Sequence, residues 1–264
     1  MPIKEILMSE KSVGFIGGGR IVRIMLQVLK RTGSMPATTV VSDPNLDAIA
    51  SFPQVFPGVR ATTDNREAAA QDIVFLAVHP QVVPVVLPEI KTALKPEAIF
   101  ISLSPQPSIG HFKAMLGGFD RIVRLLPNAA SFVGSGYNPV VFAPAISEEE
   151  KKWLKELFAL FGACPEVTEE KIPAYAVLTA MGPTYFWFQI HELHKIAESF
   201  GLTYQDVQEA MFGMLGGTLR TYYTSQLPPE RVMDLVPVKP LADMEEPVRE
   251  AYRTKLPALY EKIR

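Results

Sequence analysis

Three glycines in a row join an apolar run to a helical one in Val13-Gly14-Phe15-Ile16-Gly17-Gly18-Gly19-Arg20-Ile21-Val22. The run before them is short, β-branched and aromatic, which predicts a strand. After them, Ile21, Ile24, Met25, Val28 and Leu29 recur on a helical period, which predicts a helix over 19–32. A strand that turns through glycines into a helix exposes the first N–H groups of that helix, ready for an anion. Similar apolar runs at 38–43, 72–77, 98–103, 121–126 and 138–143 predict further strands. Several are apolar throughout, as in a parallel sheet covered on both faces. Segments 81–94 and 108–116 fit helices between them, with Pro84 and Pro88 complicating the first. Ser147 precedes Glu150 at capping-box spacing, and Trp153, Leu154, Leu157, Phe158 and Phe161 follow as an apolar face. This alternation predicts a doubly wound α/β sheet of the Rossmann type over residues 1–165.

From about residue 168 no strand alternation remains, so residues 166–264 read as an all-helical domain. Residues 172–200 are helix-compatible and apolar on more than one face, including Tyr185, Phe186, Trp187 and Phe188. Such a helix is buried by its own domain or by a second subunit. Pro183 should kink or divide it. Thr203 with Asp206 resembles another helix start. A helix over 211–223 should end at Pro228 and Pro229, and a last helical region, 247–263, is open to interruption at Pro257.

Composition narrows the functional classes. The 264 residues are 48% hydrophobic and 20% charged, with a formal net charge of −2. That suits a folded chain and lacks the basic footprint of a nucleic-acid binder. No run approaches a membrane span. Cys164, the single cysteine, makes no internal disulfide and no cysteine-based zinc cluster. Residues 1–12 show no export signal, so the cytoplasm is the expected compartment.

The glycine loop points to a dinucleotide. Gly17 supplies the tight turn, Gly18 and Gly19 the close backbone approach, and the N–H groups of Arg20 and Ile21 a seat for pyrophosphate. Arg20 adds a cation beside it. Val22 stands where the third glycine of the fingerprint usually sits, which loosens the motif. Ser42-Asp43 closes the second strand about twenty residues beyond the loop, near the position that reads the adenosine ribose. A carboxylate there accepts from ribose hydroxyls and repels a 2′-phosphate, so NADH is favoured over NADPH. Alternatively Asp43 caps a helix over 44–52. Ala77-Val78-His79 follows another strand at the carboxyl edge of the sheet, where ligands bind. His79 faces the nicotinamide side or is an ordinary loop residue before a helix. His191 and His194, three apart, lack the four-residue spacing of the zinc motif, and no metal site is expected.

Taken together, these segments resemble the pyrroline-5-carboxylate reductases. The resemblance rests on the glycine loop, Ser42-Asp43-Pro44, Ala77-Val78-His79-Pro80, Leu126-Pro127-Asn128, Gly134-Ser135-Gly136 and Thr179-Ala180-Met181-Gly182-Pro183-Thr184-Tyr185. It implies reduction of a cyclic imine to proline with a nicotinamide cofactor, as in proline biosynthesis. It implies helical domains that interlock into a homodimer, with higher assembly of dimers open. It also implies that Asn128 orders the nicotinamide ribose or amide, and that Gly182, Pro183 and Thr184 line the substrate.

Two stretches depart from that pattern. Where the family usually reads Ser-Gly-Ser-Gly-Pro, this chain has Ala180-Met181-Gly182-Pro183. Where it has a Ser-Pro-Gly-Gly-Thr-Thr loop holding the substrate carboxylate, this chain has Val236-Pro237-Val238-Lys239-Pro240-Leu241. Prolines lack the amide donor an anion nest needs. Lys239 offers a point charge in its place, or is an ordinary surface lysine. Thr179, Thr184 and Lys239 are the candidate catalytic groups. The alternative readings are a catalytically impaired, nucleotide-binding interaction protein and a reductase of a different small substrate.

Overall fold

The computed structural model describes residues 11–264. The expected lack of an export signal falls largely on residues 1–10, outside those described. The chain divides into two compact units, one running through Met181 and taking in Tyr260–Arg264, the other being Gly182–Leu259.

The first unit is the α/β domain. Its main sheet has the order β3-β2-β1-β4-β5-β6-β8, built from β1 (Ser12–Ile16), β2 (Thr38–Ser42), β3 (Val59–Thr62), β4 (Ile73–Leu76), β5 (Ile99–Ser102), β6 (Ile122–Leu125) and β8 (Val140–Phe142). All neighbours pair in parallel except β6 and β8. A small parallel pair, β7 (Gly136–Tyr137) with β9 (Gly162–Ala163), stands beside it. The winding direction reverses between β1 and β4, the switch point where open α/β sheets bind ligands.

Helices cover both faces. On one, α1 (Arg20–Arg31) contributes Val22, Met25, Leu26 and Leu29, and Phe15 stacks on Phe75 at 4.8 Å. On the other, Val74, Leu76, Phe100 and Ile122 meet side chains of α3 (Val83–Ile90) and α4 (Ile109–Met115), beside the short α2 (Asn65–Ala69). Each large side chain buried this way is worth about 1.5–3 kcal/mol. The predicted capping box forms: Ser147 and Glu150 exchange bonds at the start of α5 (Glu148–Phe158).

Local departures from expectation have simple causes. β3 carries one buried apolar residue, Val59, at the sheet edge, too little to signal a strand. Pro84 lies in the first turn of α3, where its missing N–H costs nothing, and the helix also tolerates Pro88. In place of a helix over 44–52 there are two turns, Leu46–Ile49 and Phe52–Val55. Pro183 divides the 172–200 stretch, the second of its two expected effects: Ile172–Tyr175 and a π-helical turn, Ala176–Ala180, precede it, and Pro183 opens the next helix.

The second unit holds α6 (Pro183–Ser199), α7 (Tyr204–Thr224) and most of α8 (Ala242–Ile263). Thr203 and Asp206 form the expected capping box. The helix after it ends at Thr224, before Pro228, and Pro229 opens the short helix Pro229–Met233. Pro257 does not interrupt α8. Among the described residues no helix is long and apolar enough to cross a membrane.

Candidate active site

The glycine loop sits at the switch point, and Gly17 and Gly18 are each required by a close approach. Gly17 has φ +99 and donates its N–H to Ser42 O at 2.7 Å; a Cβ there would lie 2.8 Å from Ala77 O. Gly18 donates to Asp43 Oδ2 at 2.8 Å, and a Cβ there would meet Ile49 at 2.5 Å. Gly19 heads α1 with no side-chain cap, and a Cβ there would meet nothing within 4 Å. The N–H groups of Arg20, Ile21 and Val22 precede the first bond closing the helix, from Arg23 N–H to Gly19 O at 3.2 Å. An open, uncapped helix start approached over bare backbone fits a dinucleotide pyrophosphate. Arg20 is exposed at its rim. Val22 is fully buried in the core under α1, so the helix packs over the sheet without a third glycine.

Asp43 serves two elements at once. While Oδ2 holds Gly18, Oδ1 accepts from Asn45 N–H at 2.9 Å and starts the turn that Asn45 caps. Asp43 thus braces the glycine loop and leads into the turn, while Asn45 and not Asp43 is the cap. Ser42 is completely buried, its hydroxyl bonded to Asn65 at 2.9 Å; it meets the loop through its carbonyl. Sequence reasoning missed Arg23. Its guanidinium lies 4.4 Å from the Phe52 ring and donates to Ser51 at 3.2 Å and to Ala48 O, bracing the segment after Asp43 against α1.

Across the switch point, Ala77 N–H donates to Ile16 O at 2.8 Å, which places Ala77 and Val78 against Gly17. His79 is exposed, and its Nδ1 accepts from Gln81 N–H at 3.4 Å, capping the turn that follows. Next to it a cavity of about 700 Å³ is lined by Pro80, Pro105, His111, Arg124 and Glu169. It contains none of the glycine-loop residues. Burial lowers the pKa of Arg124, which pairs with Glu169 at 2.6 Å and donates to Pro105 O. Its charge is thus spent on holding the loop after β5.

Asn128 is nearly buried. Its Oδ1 accepts from Ala130 N–H at 3.1 Å, and its Nδ2 donates to Thr179 O at 3.3 Å, inside the π-helical turn. Thr179 donates its own hydroxyl to Tyr175 O at 2.9 Å. Thus Thr179 and Asn128 come together in the first unit. Gly182, Pro183, Thr184 and Lys239 belong to the second. There Gly182 is buried ahead of Pro183, and Thr184, Tyr185, Phe188, Tyr252 and Lys255 line a groove of about 560 Å³. Lys239 is exposed in the loop before α8. His194 pairs with Glu198 at 3.4 Å and packs edge-on to Tyr204.

Comparison with known proteins finds similarity over most of the chain. A family described as NADP oxidoreductase, coenzyme F420-dependent, matches residues 12–106. The pyrroline-5-carboxylate reductase of Escherichia coli is 26% identical over 218 residues, 80% of this chain and 81% of that protein. A solved pyrroline-5-carboxylate reductase from Coxiella burnetii is 26% identical with a TM-score of 0.67, covering 96% of this chain and 94% of the other. The fold also matches the Plasmodium falciparum pyrroline carboxylate reductase, solved with NADP bound, at a TM-score of 0.77 and 20% identity over 97% and 98% of the two chains. By sequence and by fold, the chain is similar to the pyrroline-5-carboxylate reductases.

Proposed function

We propose that this chain is a nicotinamide-dependent reductase of a small cyclic imine, of the pyrroline-5-carboxylate reductase type. The observation that carries the reading is the open start of α1 behind Gly19, set at the switch point of a parallel sheet. Bound there, the nicotinamide dinucleotide supplies the hydride, and the protein supplies position and charge. Arg20 and Ile21 take the pyrophosphate through their N–H groups, with Gly17 and Gly18 shaping the approach. Asp43 takes the adenosine ribose. We assign Ala77, Val78, His79 and Asn128 to the nicotinamide end, and Gly182, Pro183, Thr184 and Lys239 to the substrate. Thr179 and Thr184 are the hydroxyls nearest that motif in sequence and the candidates for a proton near the imine nitrogen. The exposed aromatic faces of α6 and α7 support a homodimer, or a multiple of it; the cytoplasm is the compartment we propose for it.

Asp43 favours NADH, because a 2′-phosphate would face its carboxylate at like charge. Hydrogen bonds to a charged group are worth about 1.5–3 kcal/mol, so Asp43→Ser should move the NADPH-to-NADH affinity ratio about tenfold or more. Calorimetric titration of both cofactors reads it. No binding of either up to millimolar concentration would overturn the reading as a whole.

The loop at 236–241 supports a second reading, a weak reductase or one for another substrate. Val236 and Val238 are 64% and 73% exposed, and two of the six residues are prolines without an amide donor. Steady-state oxidation of NADH with pyrroline-5-carboxylate, for wild type and Lys239→Ala, separates the two. Weak turnover that Lys239→Ala abolishes places the carboxylate on Lys239; proficient turnover removes the second reading.

A further inference from the structure

Asn138 lies outside every motif that marks the site, yet its side chain holds the turn on which the nicotinamide end depends. It is completely buried, as is Ser131. Its Oδ1 accepts from Asn128 N–H and from the Ser131 hydroxyl, both at 3.0 Å, and its Nδ2 donates to Phe161 O at 3.2 Å. One amide therefore fixes both ends of the 128–131 turn and ties it to the end of the Ala159–Phe161 turn. The surroundings leave no room to slip. A Cβ on Gly136 would lie 2.3 Å from Ser131 Oγ and 2.7 Å from Asn138 Nδ2, and one on Gly162, at φ +125, would lie 2.2 Å from Gly136 O. Glycine at both places lets the chain close down on this amide.

We infer that Asn138 is a positioning residue for the nicotinamide end of the cofactor, acting through Asn128; the inference rests on the assignment of Asn128 proposed above. The operative atom is Oδ1. Removing it frees the Asn128 N–H and lets the Asn128 side chain, assigned above to the nicotinamide end, drift, while the pyrophosphate seat at α1 stays intact.

The test compares affinities for NADH and for ADP, which lacks the nicotinamide and its ribose, by calorimetry on the full-length protein. Asn138→Ala should weaken NADH roughly three- to tenfold, the range of one lost hydrogen bond, and leave ADP unchanged. A merely structural role would weaken both alike. Asn138→Asp keeps the acceptor at Oδ1 but turns an oxygen toward Phe161 O; it should lose thermal stability and keep the wild-type NADH-to-ADP ratio. If Asn138→Ala fails to fold, Asn138→Ser takes its place with the same expectation. Asn128→Ala is the control for the assignment itself. If Asn128→Ala shifts the ratio and Asn138→Ala, or Asn138→Ser in its place, does not, the inference is wrong and the assignment stands. If Asn128→Ala leaves the ratio unchanged, the assignment fails and the inference with it.

Discussion

In the α/β unit Phe15, Phe52, Phe100, Phe112 and Phe158 are all fully buried, whereas in Gly182–Leu259 the only buried hydrophobic side chain is Val207. There Phe200, Phe212 and Tyr223 stand 79%, 75% and 78% exposed. The same residue types meet opposite fates because a twisted sheet offers two broad faces to helices, while three long helices offer one another only narrow stripes. The first unit completes its own core. The second leaves large apolar faces exposed, which is the basis of the homodimer proposed above. The comparison can be broken at several places.

The largest effect is expected at the exposed faces. Phe188→Asp with Phe212→Asp should turn a dimer into a monomer, read by light scattering. Burying one such ring is worth about 1.5–3 kcal/mol, and two per copy are lost, so association should weaken by about four decades or more. A dimer that survives the double change would show that these faces are not the joint.

Next is the sheet. A Cβ on Gly14 would lie 1.8 Å from the backbone oxygen of Ala68. Gly14→Ala must therefore push α2 off β1, at a cost of about 3 kcal/mol or more. The urea midpoint should fall while the dimer mass stays constant. If the mass falls too, the two units are not independent in the way their cores suggest.

How much of this was legible in the sequence follows the same division. Six strands announced themselves as short apolar runs: five parallel ones, such as the fully buried Ile73–Leu76, and the antiparallel edge strand β8. β3 did not, since Arg60 and Thr62 lie at an edge and Arg60 is spent on an ion pair with Glu67. β7 and β9 did not either, being a glycine crossing with no hydrophobic pattern. Pro183 divided the apolar stretch, as its position allowed, whereas at Pro257 helix context carried α8 through. At the site, the loop and Asp43 could be read from spacing. Asn138 could not. Its value lies in three bonds to residues 7, 10 and 23 positions away, which no local pattern encodes.

The smallest effect is expected at an ion pair at the amino ends of the central strands β1 and β4. Asp72 receives Ser12 N–H and Oγ, each at 2.8 Å, and pairs with Lys95 at 2.6 Å. Burial pushes its carboxyl up, but Lys95 and Ser12 hold it down, from 3.8 to about 2. A depressed folded pKa means stability that is present above the unfolded value and lost as pH falls through the folded one. The window is thus from about pH 4 down to about pH 2. Asp72 and Lys95 are 28% and 38% exposed, so screening trims the contribution to about 1 kcal/mol. Asp72→Asn should lower stability by that amount at pH 7, measured by urea unfolding, and converge on wild type near pH 2. The pair Arg253–Glu246 on α8 is 61% and 70% exposed, without backbone bonds to fix it. Glu246→Gln should change nothing measurable. Were both substitutions silent, the α/β unit would owe its order to apolar packing alone; were both costly, the helical unit would be better fixed than its exposed faces imply.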